Sequence, residues 1–477
     1  MDFRNKYSHS PFPIFTLMAL IKSVSGIRGT LGGVQGDNLT PADIVLYTAA
    51  YATWLKTSDR NPTVVIGRDG RISGPHVSAL VIETLRAMGV NVIEAGVSTT
   101  PSIEMYVAYA KAQGGIIITA SHNPRDWNAL KFLNANGEII SQADGEQILK
   151  IAEANAIQYS PMDVFGTLQT TLNDMTYHID CICKLDLVDV QAIQQKQFYI
   201  VADCINSSGA LAIPALLKAL GCTFTLLNES INGEFAHNPE PSEKHLRDLC
   251  REVSSFGAML GIAVDPDVDR LALVDEHGAY FGEEYTLVAV ADYVLQHTPG
   301  PCVSNLSSSL ALRDLAAKYG QPYSASKVGE AYVVEEMKRT GAVIGGEGNG
   351  GVIYPVLHYG RDALVGIALL LSYMAKSGHS LSQLKKKYPA YIIAKSKIEL
   401  PKEVDLKSLF DSVASAYSGA EIDTRDGLKI LTGDSWIHLR ASNTEPILRI
   451  YAESGTKDKA EKLAAEMRNE LLVLSTT

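Results

Sequence analysis

The sequence predicts an α/β protein: three related domains with mixed sheets, followed by a smaller C-terminal α+β domain. Three observations lead there. At 477 residues the chain is longer than one hydrophobic core organises, which implies three or four domains. Three stretches resemble one another: "TVVIGRDGRISGPHVSALVIETLRAMG" from Thr63, "FYIVADCINSSGALAIPALLKALG" from Phe198 and "PCVSNLSSSLALRDLAAKYG" from Pro301. Each is a short β-branched run, a polar turn and a helical stretch ending near glycine, with Asp, Asn and Ser suited to cap the helix. Such wide spacing means repeated domains rather than a solenoid, and alternating strands and helices mean α/β layers. The end of the chain differs: "SWIHLRASNTEPILRIYAESG" is two strand-like runs around a polar loop, followed by the amphipathic helix "KDKAEKLAAEMRNELLVL".

Taken in order, residues 1–17 read as an N-terminal extension outside the fold. The apolar run "FPIFTLMALI" (12–21) is too short to span a bilayer. "KSVSGIRG" follows it where a signal peptide would carry a small-residue cleavage site, and Met18 resembles a natural start. The domains are then expected at 18–170, 171–280, 281–390 and 391–477. Net charge is −11, which argues against nucleic acid as a partner; an anionic ligand must be met by a local cluster of Arg and Lys. The six cysteines show no metal-binding spacing and several sit in apolar runs, as buried thiols of a reducing cytoplasm do. No segment is expected to cross a membrane.

Four loops carry candidate chemistry. In "GIIITASHNPRDWNALKF" (115–132) an apolar strand runs into Thr119, Ser121, His122 and Asn123 before Pro124. The loop is either a polar turn or a serine nucleophile held at a strand end, with Lys131 on the next strand-like run. His122 cannot be assumed to be its base, since adjacent side chains often diverge. In "GIAVDPDVDRLALVD" (261–275), Asp265, Asp267 and Asp269 alternate between two β runs. Three close carboxylates repel unless a cation neutralises them, and an all-oxygen set favours a hard ion, Mg²⁺ first. An EF-hand is rejected because Arg270 stands where glycine is needed and the flanks are strands; an acidic surface turn is the plain alternative. In "IGGEGNGGVIYP" (344–355), glycines frame Glu347 and Asn349, good partners for sugar hydroxyls, although a turn between strands looks the same. In "LRASNTEPILRI" (439–450), Arg440, Ser442, Asn443, Thr444 and Arg449 make either a phosphate grip or a hairpin with solvated arginines.

Together, "TASHNP", "DPDVDR", "GEGNGG" and "RASNTEP", in that order, resemble the α-D-phosphohexomutase family from about Met18 to the chain's end, and "SGIRGT" with Arg28 matches its N-terminal segment. The resemblance implies four domains around a central cleft lined by all four loops. It implies that Ser121 is carried as a phosphoserine, and that Mg²⁺ is held by Asp265, Asp267, Asp269 and a phosphoserine oxygen. It makes Lys131 and Arg28 candidates for proton transfer or its electrostatic support, with His122 a weaker one. Arg270, Lys327 of "KVGE", Glu347, Asn349, Arg440, Ser442, Asn443, Thr444 and Arg449 become substrate-binding candidates.

This chain departs from the family's common bacterial form in two loops. Pro266 and Val268 replace glycines of the metal loop, and the sugar loop ends Asn349-Gly350-Gly351 rather than Ser-Gly-His. That form resembles the archaeal-like branch often assigned as phosphoglucosamine mutases. The expected activity is therefore interconversion of glucosamine 6-phosphate and glucosamine 1-phosphate through a bisphosphate, by a cytoplasmic monomer or homodimer. The alternatives are a phosphomannomutase/phosphoglucomutase, a metal-dependent phosphatase and a non-catalytic sugar-phosphate-binding protein.

Overall fold

The computed structural model describes residues 20–23, 26–399, 404–441 and 447–474. The expected extension at 1–17 and the loop residues Ser442, Asn443 and Thr444 lie outside them.

The first domain holds β1 (Ile21–Ser23), β2 (Gly26–Thr30), β3 (Thr63–Arg68), β4 (Asn91–Val97), β5 (Gly114–Ile118), β6 (Trp127–Leu133) and β7 (Leu168–Thr170). They form one sheet in the order β1-β2-β6-β5-β3-β4-β7, with α1 (Pro41–Leu55), α2 (Gly74–Ala87), α3 (Thr100–Tyr109) and α4 (Gln142–Glu153) packed around it. A capping box at Thr40 and Asp43 starts α1, and the Thr99 side chain caps α3 ahead of Pro101.

The second domain begins with α5 (Asp174–Cys183) and α6 (Val190–Lys196). It then runs through β8 (Tyr199–Asp203), α7 (Gly209–Ala219), β9 (Thr223–Leu227), α8 (Arg247–Phe256), β10 (Leu260–Val264) and β11 (Leu271–Val274), in sheet order β11-β10-β8-β9. The third has α9 (Glu283–His297), β12 (Cys302–Asn305), α10 (Leu310–Lys318), β13 (Tyr323–Ser326), α11 (Glu330–Thr340), β14 (Ile344–Glu347), β15 (Gly351–Ile353), α12 (Ala363–Ser377) and α13 (Leu381–Lys385), in sheet order β13-β12-β14-β15.

One unit recurs in all three. Strands β3, β8 and β12, which open the three similar stretches of sequence, each pair in parallel with two neighbours. One neighbour, β5, β10 or β14, is wholly buried and returns antiparallel as β6, β11 or β15. The connection of that return is the serine loop in the first domain, the aspartate loop in the second and the glycine-rich loop in the third. All three loops therefore stand at the carboxyl ends of buried parallel strands, the usual ligand edge of an open α/β sheet.

The last domain is a five-stranded antiparallel sheet, β16-β20-β19-β18-β17. Its strands are β16 (Ile392–Glu399), β17 (Glu421–Asp423), β18 (Leu428–Thr432), β19 (Ser435–Ala441) and β20 (Ile447–Ser454), with α14 (Leu406–Ala416) and α15 (Lys457–Leu474). The two strand-like runs and closing helix read from sequence are β19, β20 and α15.

The second and third domains share one core, because α12, buried on all sides over Ala363–Met374, packs on α9, α5, α6 and α7. The first and last domains have cores of their own. Among the described residues no helix is long and apolar enough to cross a membrane.

Candidate active site

Strand β5 ends where Thr119 turns its hydroxyl to Asp69 (2.6 Å) and accepts the Ser121 amide (2.9 Å). Asp69 also binds the Arg71 guanidinium (3.0 Å), and Arg71 in turn donates to the carbonyls of Ser121, Asn123, Pro124 and Trp127 at 2.6–3.0 Å. The serine loop is thus gripped from beneath by one buried arginine. Ser121 takes a left-handed backbone (φ 48°) that a non-glycine residue adopts only when its surroundings enforce it. Its hydroxyl donates to Asp265 (2.6 Å) across the domain boundary. His122 does reach the same oxygen, at 3.3 Å. Burial first, then the Arg270 cation, pushes its imidazole well below the ordinary range.

The aspartate loop is shaped by Asp265, whose Oδ1 accepts the amides of Asp269 and Arg270 (3.1 Å each). Asp265, Asp267 and Asp269 are fully buried, and their carboxylates offer oxygens within 4.8 Å of one another. Asp267 Oδ2 accepts from the Thr100 hydroxyl (2.6 Å) and from Lys131 (2.7 Å); Asp269 Oδ2 accepts from Arg361 (2.6 Å) and Lys131 (3.3 Å). The other oxygen of each, Asp267 Oδ1 and Asp269 Oδ1, has no hydrogen-bond partner. Burial, Asp269 and Asp267 push the Asp265 carboxyl well above the ordinary range. Burial opposes ionisation of Asp269 too, but Arg361 and Lys131 outweigh it and hold that carboxyl below the range. Burial would lower the Lys131 ammonium, yet Asp267 and Asp269 raise it, so it is a standing positive charge. Buried carboxylate oxygens without partners, beside a carboxyl driven to protonate by its neighbours, are the donor set a hard divalent ion satisfies. The residues present fit such an ion.

Arg270 closes one side. Its Nε lies 4.0 Å from Asp265 and 3.9 Å from Asp269, and its Nη1 lies 3.3 Å from Glu240. Arg28, on β2, is exposed. The surrounding protein first, then the neighbouring guanidiniums of Arg449 and Arg270, lower its pKa. Three arginines from three domains therefore crowd one region, an arrangement an anion relieves.

In the glycine-rich loop Glu347 is buried and accepts from Asn305 (2.8 Å), the Gly329 amide (3.0 Å) and Arg361 (2.8 Å). Asn349 accepts the Gly351 amide (3.2 Å). Lys327 is exposed beside the Tyr332 ring, and the following Val328 amide binds Asp426 (2.9 Å). Arg440 and Arg449 stand directly opposite on β19 and β20, flanking residues 442–446, and Arg440 pairs with Asp426 (2.9 Å). Like charges opposite one another on a sheet destabilise it unless something answers them.

Three positions that tie the candidate site together escaped the reading of the sequence. Arg71 anchors the serine loop. Thr100 joins α3 to Asp267 by its hydroxyl and by its amide (2.9 Å to the Asp267 carbonyl). Arg361 is a hub that touches Asp269, Glu347 and Glu330 (3.3 Å) at once, linking the aspartate loop to the glycine-rich loop. Its one local signal was "GRDAL", where Asp362 caps α12.

Comparison with known proteins covers most of the chain. Four descriptions from the phosphoglucomutase/phosphomannomutase family match in order: α/β/α domain I at residues 20–158, domain II at 176–278, domain III at 282–391 and the C-terminal domain at 396–470. A phosphoglucomutase/phosphomannomutase of Thermococcus kodakarensis is 35% identical over 441 residues, covering 91% of this chain and 96% of its own. A protein of Methanopyrus kandleri described as a probable phosphoglucosamine mutase is 32% identical over 447 residues, covering 93% and 95%. Among solved structures, a phosphoglucomutase/phosphomannomutase family protein from Burkholderia thailandensis shares the fold, with a TM-score of 0.80 at 24% identity over 96% of this chain and 97% of that one.

Proposed function

Since the chain belongs to the phosphoglucomutase/phosphomannomutase family of α-D-phosphohexomutases, and is therefore an intramolecular phosphotransferase, we propose that it moves a phosphoryl group between the 6- and 1-positions of glucosamine phosphate by way of Ser121. One observation carries the reading: the Ser121 hydroxyl sits 2.6 Å from Asp265, at the edge of three buried aspartates, two of which, Asp267 and Asp269, still have an unpartnered oxygen.

In this reading Ser121 Oγ carries the phosphoryl group at rest. A sugar hydroxyl attacks that phosphorus, the Ser121 Oγ–P bond breaks, and a bisphosphate forms. The bisphosphate turns around, Ser121 Oγ attacks its other phosphorus, and the isomeric monophosphate leaves. Asp265, Asp267 and Asp269 would hold one Mg²⁺, which when bound neutralises the transferring oxygens. Arg71 keeps the loop from recoiling. Arg270 and Lys131 place positive charge around the phosphoryl group. Lys131, held charged by two aspartates, supports by its field. The proton of the attacking hydroxyl ends on the departing Ser121 Oγ; His122 lies 3.3 Å from that oxygen, but burial and Arg270 make its imidazole a weak base, so it orients the oxygen rather than storing the proton. Arg28, Arg440 and Arg449, with Ser442, Asn443 and Thr444, bind the phosphate that is not reacting. Glu347, Asn349 and Lys327 face the sugar.

Glucosamine is favoured by the Asn-Gly-Gly form of the sugar loop and by the Methanopyrus relative's description. Glucose and mannose phosphates are the second reading, favoured by the description of the Thermococcus relative. The six free cysteines suit a cytoplasmic enzyme.

A coupled assay with the 1-phosphates of glucosamine, glucose and mannose tests the substrate, and intact mass tests the mechanism. The wild type is expected to carry one phosphate that Ser121→Ala lacks, and the variant to lose nearly all turnover while still binding sugar phosphate. Near-normal turnover in Ser121→Ala would end the covalent reading. A preference for glucose or mannose 1-phosphate would overturn the glucosamine assignment alone.

A further inference from the structure

Behind Arg361, in a set of residues that shares none with the aspartate triad, two imidazoles converge on one carboxylate. His178 Nε2 lies 2.9 Å, and His358 Nε2 3.3 Å, from the same oxygen, Asp362 Oδ2. The three offer ligand atoms within 4.8 Å of one another. They come from different parts of the chain: His178 from α5, His358 from the loop after β15, and Asp362 from the cap of α12. Asp362 is also held from its other side, because Oδ1 accepts the amides of Leu364 (2.8 Å) and Val365 (3.2 Å). Only Oδ2 is left to face the rings.

The far nitrogens are backed as well. His178 Nδ1 meets the Ser102 hydroxyl (3.1 Å), and His358 Nδ1 lies 3.4 Å from Glu104 Oε2. Glu104 is the independent sign. It is only 1% exposed, and neither carboxylate oxygen has a hydrogen bond. His358 thus has a carboxylate on each side of its ring. With a carboxylate at each nitrogen, His358 either carries a proton on both and donates to Glu104 and Asp362, or keeps its proton toward Glu104 and turns a bare Nε2 to a cation shared with Asp362.

We propose that His178, His358 and Asp362 form a second metal site, suited to a borderline divalent ion such as Zn²⁺, with Glu104 and Ser102 orienting the rings from behind. Two imidazole nitrogens and one carboxylate oxygen are softer than the all-oxygen triad, so the two sites select different ions. Metal bonds of about 2.0–2.1 Å in tetrahedral array place ligand atoms about 3.3 Å apart; His358 and Asp362 already stand at 3.3 Å, and the 2.9 Å hydrogen bond of His178 to Asp362 would open by about 0.4 Å. A carboxylate on the far nitrogen, as Glu104 is for His358, is a usual outer partner of metal-bound histidine. The ion would enter past His358, whose side chain is 10% exposed while those of His178 and Asp362 are closed. Bound there, it would tie α5 to the start of α12 and fix Arg361, the neighbour of Asp362 that bridges Asp269 and Glu347.

The test uses the full chain with saturating Mg²⁺, so that the triad is occupied, and Zn²⁺ as the added probe. Equilibrium dialysis with elemental analysis is expected to find one zinc per chain, retained in Asp267→Asn and bound at least ten-fold more weakly in His358→Gln. X-ray absorption at the zinc edge of the unaltered protein, which depends on no variant folding, should report two imidazole ligands. The proposal is overturned if the parent binds no zinc under Mg²⁺, if the edge spectrum shows oxygen ligands only, or if zinc is lost in Asp267→Asn and kept in His358→Gln. Any of these would leave the cluster a hydrogen-bonded His–Asp–His link.

Discussion

Arg71 donates to four carbonyls of one loop, and no other residue type could. Its planar fork reaches several oxygens at fixed angles, whereas lysine offers a single point charge. Arg71→Lys should therefore keep the fold and the charge but loosen Ser121. The expected result is a fall in kcat of about ten- to a hundred-fold, the scale of one to two lost charged hydrogen bonds, with KM nearly unchanged because substrate contacts lie elsewhere. A variant whose KM rises while kcat holds would show that Arg71 serves binding instead. Ser121 and the three aspartates could be singled out because their motifs are local: a serine at a strand end, carboxylates at alternate positions. Arg71 and Arg361 could not, because Arg71 grips Ser121 from fifty positions away and Arg361 reaches Asp269 from ninety-two, and no spacing rule marks an arginine whose targets are backbone carbonyls or a carboxylate of another domain.

The connection between β10 and β11 carries a local contradiction. Val268 is β-branched and yet sits at φ 63°, the left-handed region, where the family's common form has glycine. It is also fully buried in the core shared by the second and third domains. The strain costs about 1–2 kcal/mol, and burying the side chain returns about 1.5–3 kcal/mol, so the valine survives by packing. Val268→Gly should then destabilise by only about 1 kcal/mol. The same truncation at Val264, an extended residue of β10 in the same core, should cost more than twice that, because it relieves nothing. Urea melts of the two variants check this, and equal losses would mean that the φ is not strained. At this scale the sequence was most informative where strands were apolar runs ending in a loop, as in β5 and β10. It was least informative in the last domain. There β16 alternates weakly and β17 is three residues long, so only their pairing with β20 and β18 defines them.

The described residues form a fused block of the second and third domains, with the first domain attached through polar contacts and the Tyr109–Tyr177 ring pair (4.2 Å) and the last domain through polar contacts. The attachment of the last domain includes Lys429 donating to the Leu306 carbonyl (2.6 Å), Glu453 accepting the Leu310 amide (2.9 Å) and His438 bonded to Ser307 (2.9 Å). Glu284 lies at this junction, accepting the Ser309 amide (2.8 Å). Burial, only partly offset by that hydrogen bond and reinforced by Glu453 and Glu283, pushes its carboxyl up to about 8. An ordinary glutamate in the unfolded chain titrates near 4.3. Between those values the native protein binds a proton that the unfolded chain has released, so the contribution is fully present below about pH 4 and is lost as pH rises through 8. Thermal unfolding followed from pH 5 to pH 9 should show stability falling by on the order of 2 kcal/mol from this group, after discount for water entering the junction. Glu284→Gln keeps the acceptor for Ser309 but cannot ionise, so its stability should decline less over the same range and overtake the parent above pH 8. Curves that run parallel across the whole range would show that Glu284 is ionised in the native protein and that the junction tolerates its charge.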